Sequence, residues 1–288
     1  MAKYKIAIIQ LYPKPYNIDN NHARAVARIR EASSRGVQLA VLPEFHLGEL
    51  YPPNPDFRND CKNWKQYLDA YRALARECHI CIVPGSFAEL HVDAESGEEK
   101  LVNATYFINH HGDICGRYEK KNLWHPEREH VQGSKNQPHI AFDTPLGKVG
   151  MLICWDLAFP EAFRELISQG AKIIIVPAYW KLTDPEIGVK RNPLAEQIFL
   201  DSVIVSRTYE NTCAVVFCNA AGPAEEGFAG LSQAAVPFLG SVGRLATSDE
   251  GMGIVELDMS LVEDAELDYK VREDMASSDW HYQSVTQR

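Results

Sequence analysis

Short apolar runs alternate with segments of helical spacing along the first third of the chain. The predicted strands are residues 4–10, 37–42 and 79–83, and the predicted helices are residues 19–35 and 64–77. Gly36 directly follows the first helix and supplies its C-terminal stop. Strands that alternate with helices favour a mainly parallel sheet with helices outside it, so the pattern predicts an α/β protein.

Two predicted hairpins interrupt this alternation in the middle of the chain. They join residues 101–108 to 114–118, and residues 139–142 to 148–154. The later predicted elements are helices at 160–169 and 193–209 and strands at 172–176, 212–218, 242–246 and 253–257. A set of alternating strands and helices therefore stands on each side of the hairpins.

The chain is long enough for one substantial core. With 288 residues, 45% of them hydrophobic, it can bury about three-quarters of its unfolded surface in a single domain, which we assign to residues 1–262. Residues 263–288 form a polar C-terminal tail that contains Trp280, His281 and Tyr282. The tail is too polar to form a core alone, so we expect its aromatic side chains to pack on a partner subunit.

Charge and cysteine content narrow the class of protein. The formal net charge is −10, spread without a long acidic block, whereas a nucleic-acid partner would require a basic face. The apolar run at residues 6–9 is too short for a signal-peptide core or a membrane span, so we expect a cytoplasmic protein without a membrane partner. Seven cysteines, an odd number, fit reduced and mostly buried thiols.

Cys154 is a candidate nucleophile because it lies between a strand and a helix. The apolar residues 149–153 precede it, and a helix begins near Pro160. A thiol at a strand-to-helix turn faces the backbone N–H groups of a helix start, which stabilise a thiolate that attacks a carbonyl-like carbon. The alternative is one more buried apolar cysteine, which is the usual state of a lone Cys.

Glu44 and Lys120 also follow predicted strands. Glu44 comes directly after the strand at 37–42 and Pro43, where a carboxylate can act as a base or simply be solvated in a loop. Lys120 closes a hairpin strand, and its ammonium could stabilise a developing oxyanion. On spacing alone Lys121 is a near-equal candidate, and the charged segment 120–129 also fits a solvated loop.

Three motifs in a fixed order combine these candidates. They are Leu-Pro-Glu at 42–44, Tyr-Glu-Lys-Lys-Asn-Leu at 118–123 and Gly-Met-Leu-Ile-Cys-Trp-Asp-Leu-Ala-Phe-Pro-Glu at 150–161. In these motifs the chain resembles the nitrilase-like carbon–nitrogen hydrolase superfamily, and most closely its amidase-like branch. The resemblance continues through Arg164, Arg207, Asn219 and residues 230–232, so it covers nearly the whole chain.

The resemblance implies a fold and selects among the candidates. The fold would be an α-β-β-α sandwich, two mixed sheets face to face with helices outside, whose two strand–helix halves are related by pseudo-symmetry. Homodimers or larger homo-oligomers would form through the helices next to the nucleophile. The resemblance selects Lys120 over Lys121 and adds Glu127 as a second glutamate, with Glu129 as the fallback.

The resemblance also implies a role for each residue. Glu44 would take the proton of Cys154 as the thiolate attacks an amide carbon. Lys120 and the backbone N–H of Trp155 would hold the oxyanion. Glu127 would position the substrate nitrogen. This chemistry requires no metal and no organic cofactor.

The substrate is predicted only by class. Cys-Trp-Asp at 154–156 favours a small amide, because nitrile-cleaving members tend to have Cys-Trp-Glu; a nitrile or an N-carbamoyl compound is the alternative. Tyr51, Trp155, Tyr179 and Trp180 are candidate pocket residues, although aromatic side chains are more often part of a core. Residues 181–195 could form a lid over the pocket.

Two rival interpretations come from other classes of protein. A binding or scaffold protein could keep this fold without activity, but the intact glutamate, lysine and cysteine set favours an enzyme. Cys78 and Cys81 form a Cys-x-x-Cys, with several histidines between residues 110 and 139, which suggests a zinc or redox site. However, Cys81 lies in a predicted buried strand, and no second cysteine pair completes a tetrahedral site.

Overall fold

Strands and helices alternate through residues 2–50, 55–134 and 137–282, the part of the chain that the computed structural model describes. The strands are β1 (Lys3–Gln10), β2 (Leu39–Val41), β3 (Cys81–Val83), β4 (Ser86–Val92), β5 (Glu99–Ile108), β6 (Ile114–Glu119), β7 (Phe142–Thr144), β8 (Gly147–Met151), β9 (Ile173–Ala178), β10 (Ala214–Asn219), β11 (Gln233–Val236), β12 (Gly240–Arg244) and β13 (Gly251–Asp258). The helices are α1 (Ile18–Ser34), α2 (Pro55–Lys62), α3 (Trp64–Cys78), α4 (Pro160–Ser168), α5 (Glu186–Arg191), α6 (Ala195–Asn211), α7 (Ser260–Tyr269) and α8 (Val271–Ala276). Short 3-10 helices occupy His125–Glu129, Cys154–Ala158 and Ala224–Glu226.

The strands form two mixed sheets. In the first sheet the order is β13-β1-β2-β3-β5-β4, and β6 also pairs with β5. In the second sheet the order is β12-β11-β10-β9-β8-β7. Each sheet has three parallel strands at its centre, β1-β2-β3 in one and β8-β9-β10 in the other, with antiparallel strands on both flanks. Five of these six parallel strands are those that the apolar runs predicted on the two sides of the hairpins, and the sixth, β8, was predicted as a strand of the second hairpin.

The side chains of β1 show how the layers are held together. Ile6 and Ile8 pack in the core between the two sheets, together with residues of β8, β9 and β10. Ala7 and Ile9 point to the opposite face and pack against α1 and α3, because successive side chains of a strand alternate between faces. Each fully buried Ile contributes roughly 1.5–3 kcal/mol by leaving water. The predicted fold, two mixed sheets face to face with helices outside, is confirmed.

Gly150 allows α4 to pack closely on the second sheet. A Cβ atom at this position of β8 would lie 2.7 Å from a methyl group of Leu166 and 2.8 Å from one of Ile174. A side chain at position 150 would force the ends of Leu166 and Ile174 to shift, so glycine lets both pack directly over the strand that leads to Cys154.

Several elements differ from the sequence prediction. The second hairpin is shorter than expected, with β7 at Phe142–Thr144 and β8 ending at Met151. The sequence pattern also missed β4, where Glu89 interrupts the apolar run. That carboxylate is fully buried because it accepts hydrogen bonds from Arg117 at 2.7 Å and from the hydroxyl of Tyr106. A buried polar group with partners is stable in a strand, but it hides the strand from a hydrophobicity pattern.

The predicted tail begins inside a helix. The boundary after residue 262 falls within α7, whose Val262 and Ala265 are buried. Arg272 of α8 donates to the carbonyl oxygens of Ala171 at 2.9 Å and Thr212 at 3.0 Å, so this part of the tail packs on its own chain. Contact of the tail with a partner subunit stays a prediction. Over the described residues, no helix is long and apolar enough to cross a membrane.

Candidate active site

The candidate residues lie where strands of both sheets end. Glu44 follows β2, and Cys154 follows β8 by three residues and begins a 3-10 helix. Tyr179 directly follows β9. The carboxyl ends of parallel strands are common ligand sites, and here a cavity of about 250 Å³ opens between them. Glu44, Lys120, Glu127 and Cys154 all line this cavity.

Lys120 joins the two glutamates. Its Nζ donates to Glu44 Oε1 at 2.9 Å and to both carboxylate oxygens of Glu127, at 2.9 and 2.8 Å. Only 1% of the surface of Lys120 is exposed. The ammonium therefore has two carboxylates within hydrogen-bond distance and almost no water, an arrangement in which charge-assisted hydrogen bonds are strong.

Further hydrogen bonds fix the orientation of each glutamate. Asn103 Nδ2 donates to Glu44 Oε1 at 2.7 Å, and the backbone N–H of Tyr179 donates to Glu44 Oε2 at 2.8 Å. The backbone N–H of Trp124 donates to Glu127 Oε2 at 2.8 Å. Sequence reasoning missed Asn103. The available signal was a lone amide inside the apolar strand β5, where a polar side chain needs a buried partner.

Burial and neighbouring charges shift the pKa values of this group. Burial raises the pKa of Glu44, the Glu127 carboxylate raises it further, and Lys120 partly offsets both. Burial alone would lower the pKa of Lys120, but Glu44 and Glu127 hold that pKa well above its usual value. Burial and the Glu44 charge raise the pKa of the Cys154 thiol, against the expectation that the helix start stabilises a thiolate. These shifts favour the thiol over the thiolate, so a reaction that used Cys154 would require removal of its proton.

The backbone at Cys154 is in the left-handed region. Its φ is 48°, while Ile153 before it is extended, so the chain turns sharply at the thiol. A non-glycine residue at positive φ costs of order 1–3 kcal/mol and persists only where surrounding contacts hold it. At this turn the Cys154 side chain lines the cavity, although the residue as a whole is buried.

Asp156 supplies those contacts. Its Oδ2 accepts hydrogen bonds from the backbone N–H of Ile153 at 3.0 Å and from the hydroxyl of Tyr118 at 2.8 Å. Its Oδ1 accepts from the backbone N–H and the Nδ2 of Asn122, both at 2.9 Å. The carboxylate is fully buried. Asp156 thus ties the turn at Cys154 to the loop that carries Lys120, and connects two of the three sequence motifs.

The alternative residues left open by the sequence lie elsewhere. Lys121 Nζ contacts His139 Nδ1 at 3.4 Å and Glu165 at 4.0 Å, and does not line the cavity. Glu129 is exposed, whereas Glu127 is buried beside Lys120. Their suggested catalytic roles stay predictions, but the geometry favours Lys120 and Glu127 in both cases.

Three of the four predicted pocket residues line the cavity. Trp155, Tyr179 and Trp180 all line it. Tyr51 lies outside the described residues. The first part of the segment 181–195 also belongs to the wall, through Lys181 and Asp184, while α5 follows as a short helix. Sequence reasoning named this segment as a lid and did not single out Asp184.

The Cys-x-x-Cys has its two thiols on different elements. Cys78 ends α3, and Cys81 is buried in β3, where burial raises its pKa to about 11. Among residues 2–50, 55–134 and 137–282, no three metal-ligating side chains come together. All seven cysteines are described, and none forms a disulfide.

The fold and this site point to one class of protein, and comparison with known proteins identifies it. The family model described as "Carbon-nitrogen hydrolase" matches residues 5–266. The chain therefore belongs to the carbon–nitrogen hydrolase family. This confirms the predicted superfamily and the prediction of an enzyme that hydrolyses carbon–nitrogen bonds.

Individual relatives agree with that assignment. The chain is 27% identical to "Probable nitrilase C965.09" of Schizosaccharomyces pombe over 269 residues, 90% of this chain and 89% of the relative. It is 31% identical to the deaminated glutathione amidase of Bos taurus over 191 residues, 62% of this chain and 57% of the relative. A carbon–nitrogen hydrolase from Helicobacter pylori has the same fold, with a TM-score of 0.84 at 18% identity, covering 99% of both chains.

Proposed function

We propose that the chain hydrolyses the C–N bond of a small amide through a thioester on Cys154, giving a carboxylic acid and ammonia. The observation that carries the proposal is that Cys154 shares one small cavity with a buried Glu44–Lys120–Glu127 hydrogen-bond network. A cavity of about 250 Å³ suits a small substrate, since it lies below the usual range for drug-sized ligands.

Acylation begins with transfer of the thiol proton. Glu44 takes the proton of Cys154 as the sulfur forms a bond to the amide carbon, and the carbonyl π electrons move to oxygen. The Lys120 ammonium and the backbone N–H of Trp155 stabilise this oxyanion. The tetrahedral intermediate collapses, the C–N bond breaks, and Glu44 returns the proton to the departing ammonia.

Deacylation repeats the same steps with water. Glu44 takes a proton from a water molecule as its oxygen attacks the thioester carbon, and the C–S bond then breaks. Glu44 returns its proton to the departing sulfur, so the products are the acid and the regenerated Cys154 thiol. Glu127 positions the substrate nitrogen and keeps Lys120 charged.

A nitrile or an N-carbamoyl compound is the second candidate substrate. The similarity to a probable nitrilase supports a nitrile, while the similarity to deaminated glutathione amidase and Asp156 in the Cys-Trp-Asp motif support an amide. Ammonia release from hexanamide, compared with release from hexanenitrile, decides between an amide and a nitrile.

The test of the proposed function is Cys154→Ala against a panel of amides and nitriles. We expect turnover to vanish and a Cys154-linked acyl mass to appear only in the wild-type protein. Cys115→Ala is the matched control, because Cys115 is a half-buried thiol outside the cavity. Wild-type turnover in Cys154→Ala contradicts the proposal, since the scheme has no other nucleophile.

The cytoplasmic location and the homo-oligomeric state stay proposals. Exposed apolar side chains on and beside α6, at Leu194 and Ile198, support contact between copies through helices near the nucleophile. Light scattering on the purified chain tests the oligomer.

A further inference from the structure

The cavity has a second group of charged residues, Glu49, Lys181 and Asp184, which we call its distal end. Among the described residues Lys120 forms ion pairs with Glu44 and Glu127 and with neither Glu49 nor Asp184, and none of the three residues has a role in the proposed chemistry. Lys181 Nζ lies over the rings of Phe228, at 4.5 Å from the centroid, and Tyr179, at 5.4 Å, and is 4.0 Å from Glu49 Oε1. Lys181 is therefore already matched by a carboxylate and two aromatic faces.

Asp184, in contrast, forms no ion pair with any described residue. Its Oδ2 accepts the backbone N–H of Lys181 at 3.0 Å, yet no Lys, Arg or His nitrogen of the described residues lies within ion-pair distance of it. Asp184 is half-buried, and burial raises its pKa to about 6. Holding this carboxylate in its charged form costs free energy, and a cation in the cavity would offset that cost.

Three tryptophans line the same cavity as Asp184. The rings of Trp124 and Trp155 are 4.7 Å apart, and those of Trp155 and Trp180 are 5.5 Å apart. The faces of indole rings attract cations, and aromatic walls are used to recognise ammonium groups. A cavity that combines aromatic side chains with a carboxylate lacking an ion-pair partner therefore suits a positively charged ligand group.

The sum of charges points the same way. Glu44, Glu49, Glu127 and Asp184 line the cavity against Lys120 and Lys181, so carboxylates outnumber ammonium groups. A substrate tail with a negative charge would meet this excess and be repelled, whereas a positive tail would neutralise part of it.

We propose that the distal end of the cavity binds an ammonium group at the far end of the substrate amide, and that Asp184 determines this specificity. The inference rests on the proposed function and deepens it by naming the substrate class, ω-ammonium amides. Asp184 contacts the ammonium and takes no part in bond making.

Three amides of matched length test the proposal. They are 5-aminopentanamide, which ends in an ammonium group, hexanamide, which ends in a methyl group of the same size, and adipic acid monoamide, which ends in a carboxylate. Binding is measured by calorimetry on the full chain carrying Cys154→Ala, which removes turnover and leaves Asp184 in place. Each probe is measured again after adding Asp184→Asn, where the amide oxygen can still accept the Lys181 N–H.

We expect 5-aminopentanamide to bind roughly 10- to 100-fold more tightly than hexanamide, the usual contribution of a charge-assisted contact. The carboxylate probe should bind more weakly than hexanamide. Asp184→Asn should remove most of the ammonium preference and leave hexanamide within about twofold. Glu186→Gln is the matched control, because it removes the same charge from an exposed position two residues away, and the preference should persist.

Equal binding of the ammonium and methyl probes overturns the inference without any variant at position 184. An ammonium preference that survives Asp184→Asn also overturns it. These outcomes are distinct from failure of the proposed function, which is decided by whether wild-type protein turns over amides through Cys154. Binding to the Cys154→Ala protein does not depend on that chemistry.

Discussion

The two ends of one cavity are built differently. At the catalytic end, Lys120 makes three hydrogen bonds of 2.8–2.9 Å to two glutamates and is almost completely buried. At the distal end, the Lys181 to Glu49 distance is 4.0 Å, with 23% and 39% of the side chains exposed, and Asp184 forms no ion pair with any described residue. We call the catalytic end closed, because its hydrogen bonds are complete before a substrate binds. We call the distal end open, because a bound substrate would supply the cation that Asp184 lacks. Under the two proposals, the chemistry takes place at the closed end and the substrate is selected at the open end.

Lys120→Met should give the largest effect, because it breaks the closed network at its centre. It leaves Glu44 and Glu127 as buried carboxylates without a counterion, which costs about 3–5 kcal/mol of unfolding free energy. It also removes an oxyanion donor, so kcat/KM for hexanamide should fall roughly 10³-fold. Urea unfolding and amide turnover measure the two losses.

The neighbouring lysine provides the control for this variant. Lys121 is partly exposed and does not line the cavity, so Lys121→Met should keep kcat/KM within a few-fold. Equal losses of unfolding free energy and of kcat/KM in Lys120→Met and Lys121→Met would contradict a special role of Lys120.

Glu127→Gln should give the next largest effect. Turnover should fall about 10²-fold, the scale expected when a substrate loses a positioning contact. The Glu127 charge helps to raise the pKa of Glu44, so the acidic limb of the kcat/KM profile should also move to lower pH. Glu129→Gln, at an exposed position of the same 3-10 helix, should change neither quantity. An unshifted acidic limb in Glu127→Gln would argue against charge coupling between the two glutamates.

Asp156→Asn tests whether the hydrogen bonds of Asp156 stabilise the turn at Cys154. Asp156 accepts four hydrogen bonds, and an amide nitrogen in place of one oxygen would face N–H or O–H donors. We expect about 2 kcal/mol of destabilisation and a Tm lower by about 4–8 °C. Asp143→Asn, at an exposed carboxylate, should leave the Tm unchanged. A Tm that is equal in both variants would mean that Asp156 does not brace the turn.

The sequence predicted the parallel strands because their apolar runs are continuous and end at turns. β1, β2, β3, β9 and β10 all lie within two residues of their predicted bounds. β4 and α2 escaped prediction for different reasons. Glu89 makes β4 look polar until its partners Arg117 and Tyr106 are known, and α2 has only scattered apolar positions. Partners from distant strands cannot be read from a local pattern.

The same distinction applies to the site. Glu44, Lys120 and Cys154 stand in ordered motifs, so their proximity was expected before any geometry was known. Asn103 and Asp184 stand in no motif. The role of Asn103 follows from its hydrogen bond to Glu44, and that of Asp184 from its place in the cavity wall, and both depend on residues far along the chain. The motif residues of the closed end were thus predictable, whereas Asn103, which orients Glu44 there, and Asp184 at the open end were not.

The smallest expected effect is a pH dependence at the open end. Burial raises the pKa of Asp184 to about 6, so the carboxyl group is charged above that pH and neutral below it. The preference for 5-aminopentanamide over hexanamide should be full near pH 8 and fall several-fold as the pH drops through about 6. The probe's own amine stays protonated throughout, since such amines have a pKa near 10.4.

Other groups that face Asp184 titrate or carry charge as well. The charge of Glu196 in α6 raises the pKa of Asp184, while Lys181 and Lys120 lower it. Glu49 lines the same cavity. Their protonation changes the field felt by the ammonium probe in every variant, whereas protonation of Asp184 acts only when the aspartate is present. The binding ratio should therefore lose its step near pH 6 in Asp184→Asn and keep it in Glu186→Gln. A step of equal size in both variants would assign the pH dependence to another carboxylate, and the open end would no longer depend on Asp184.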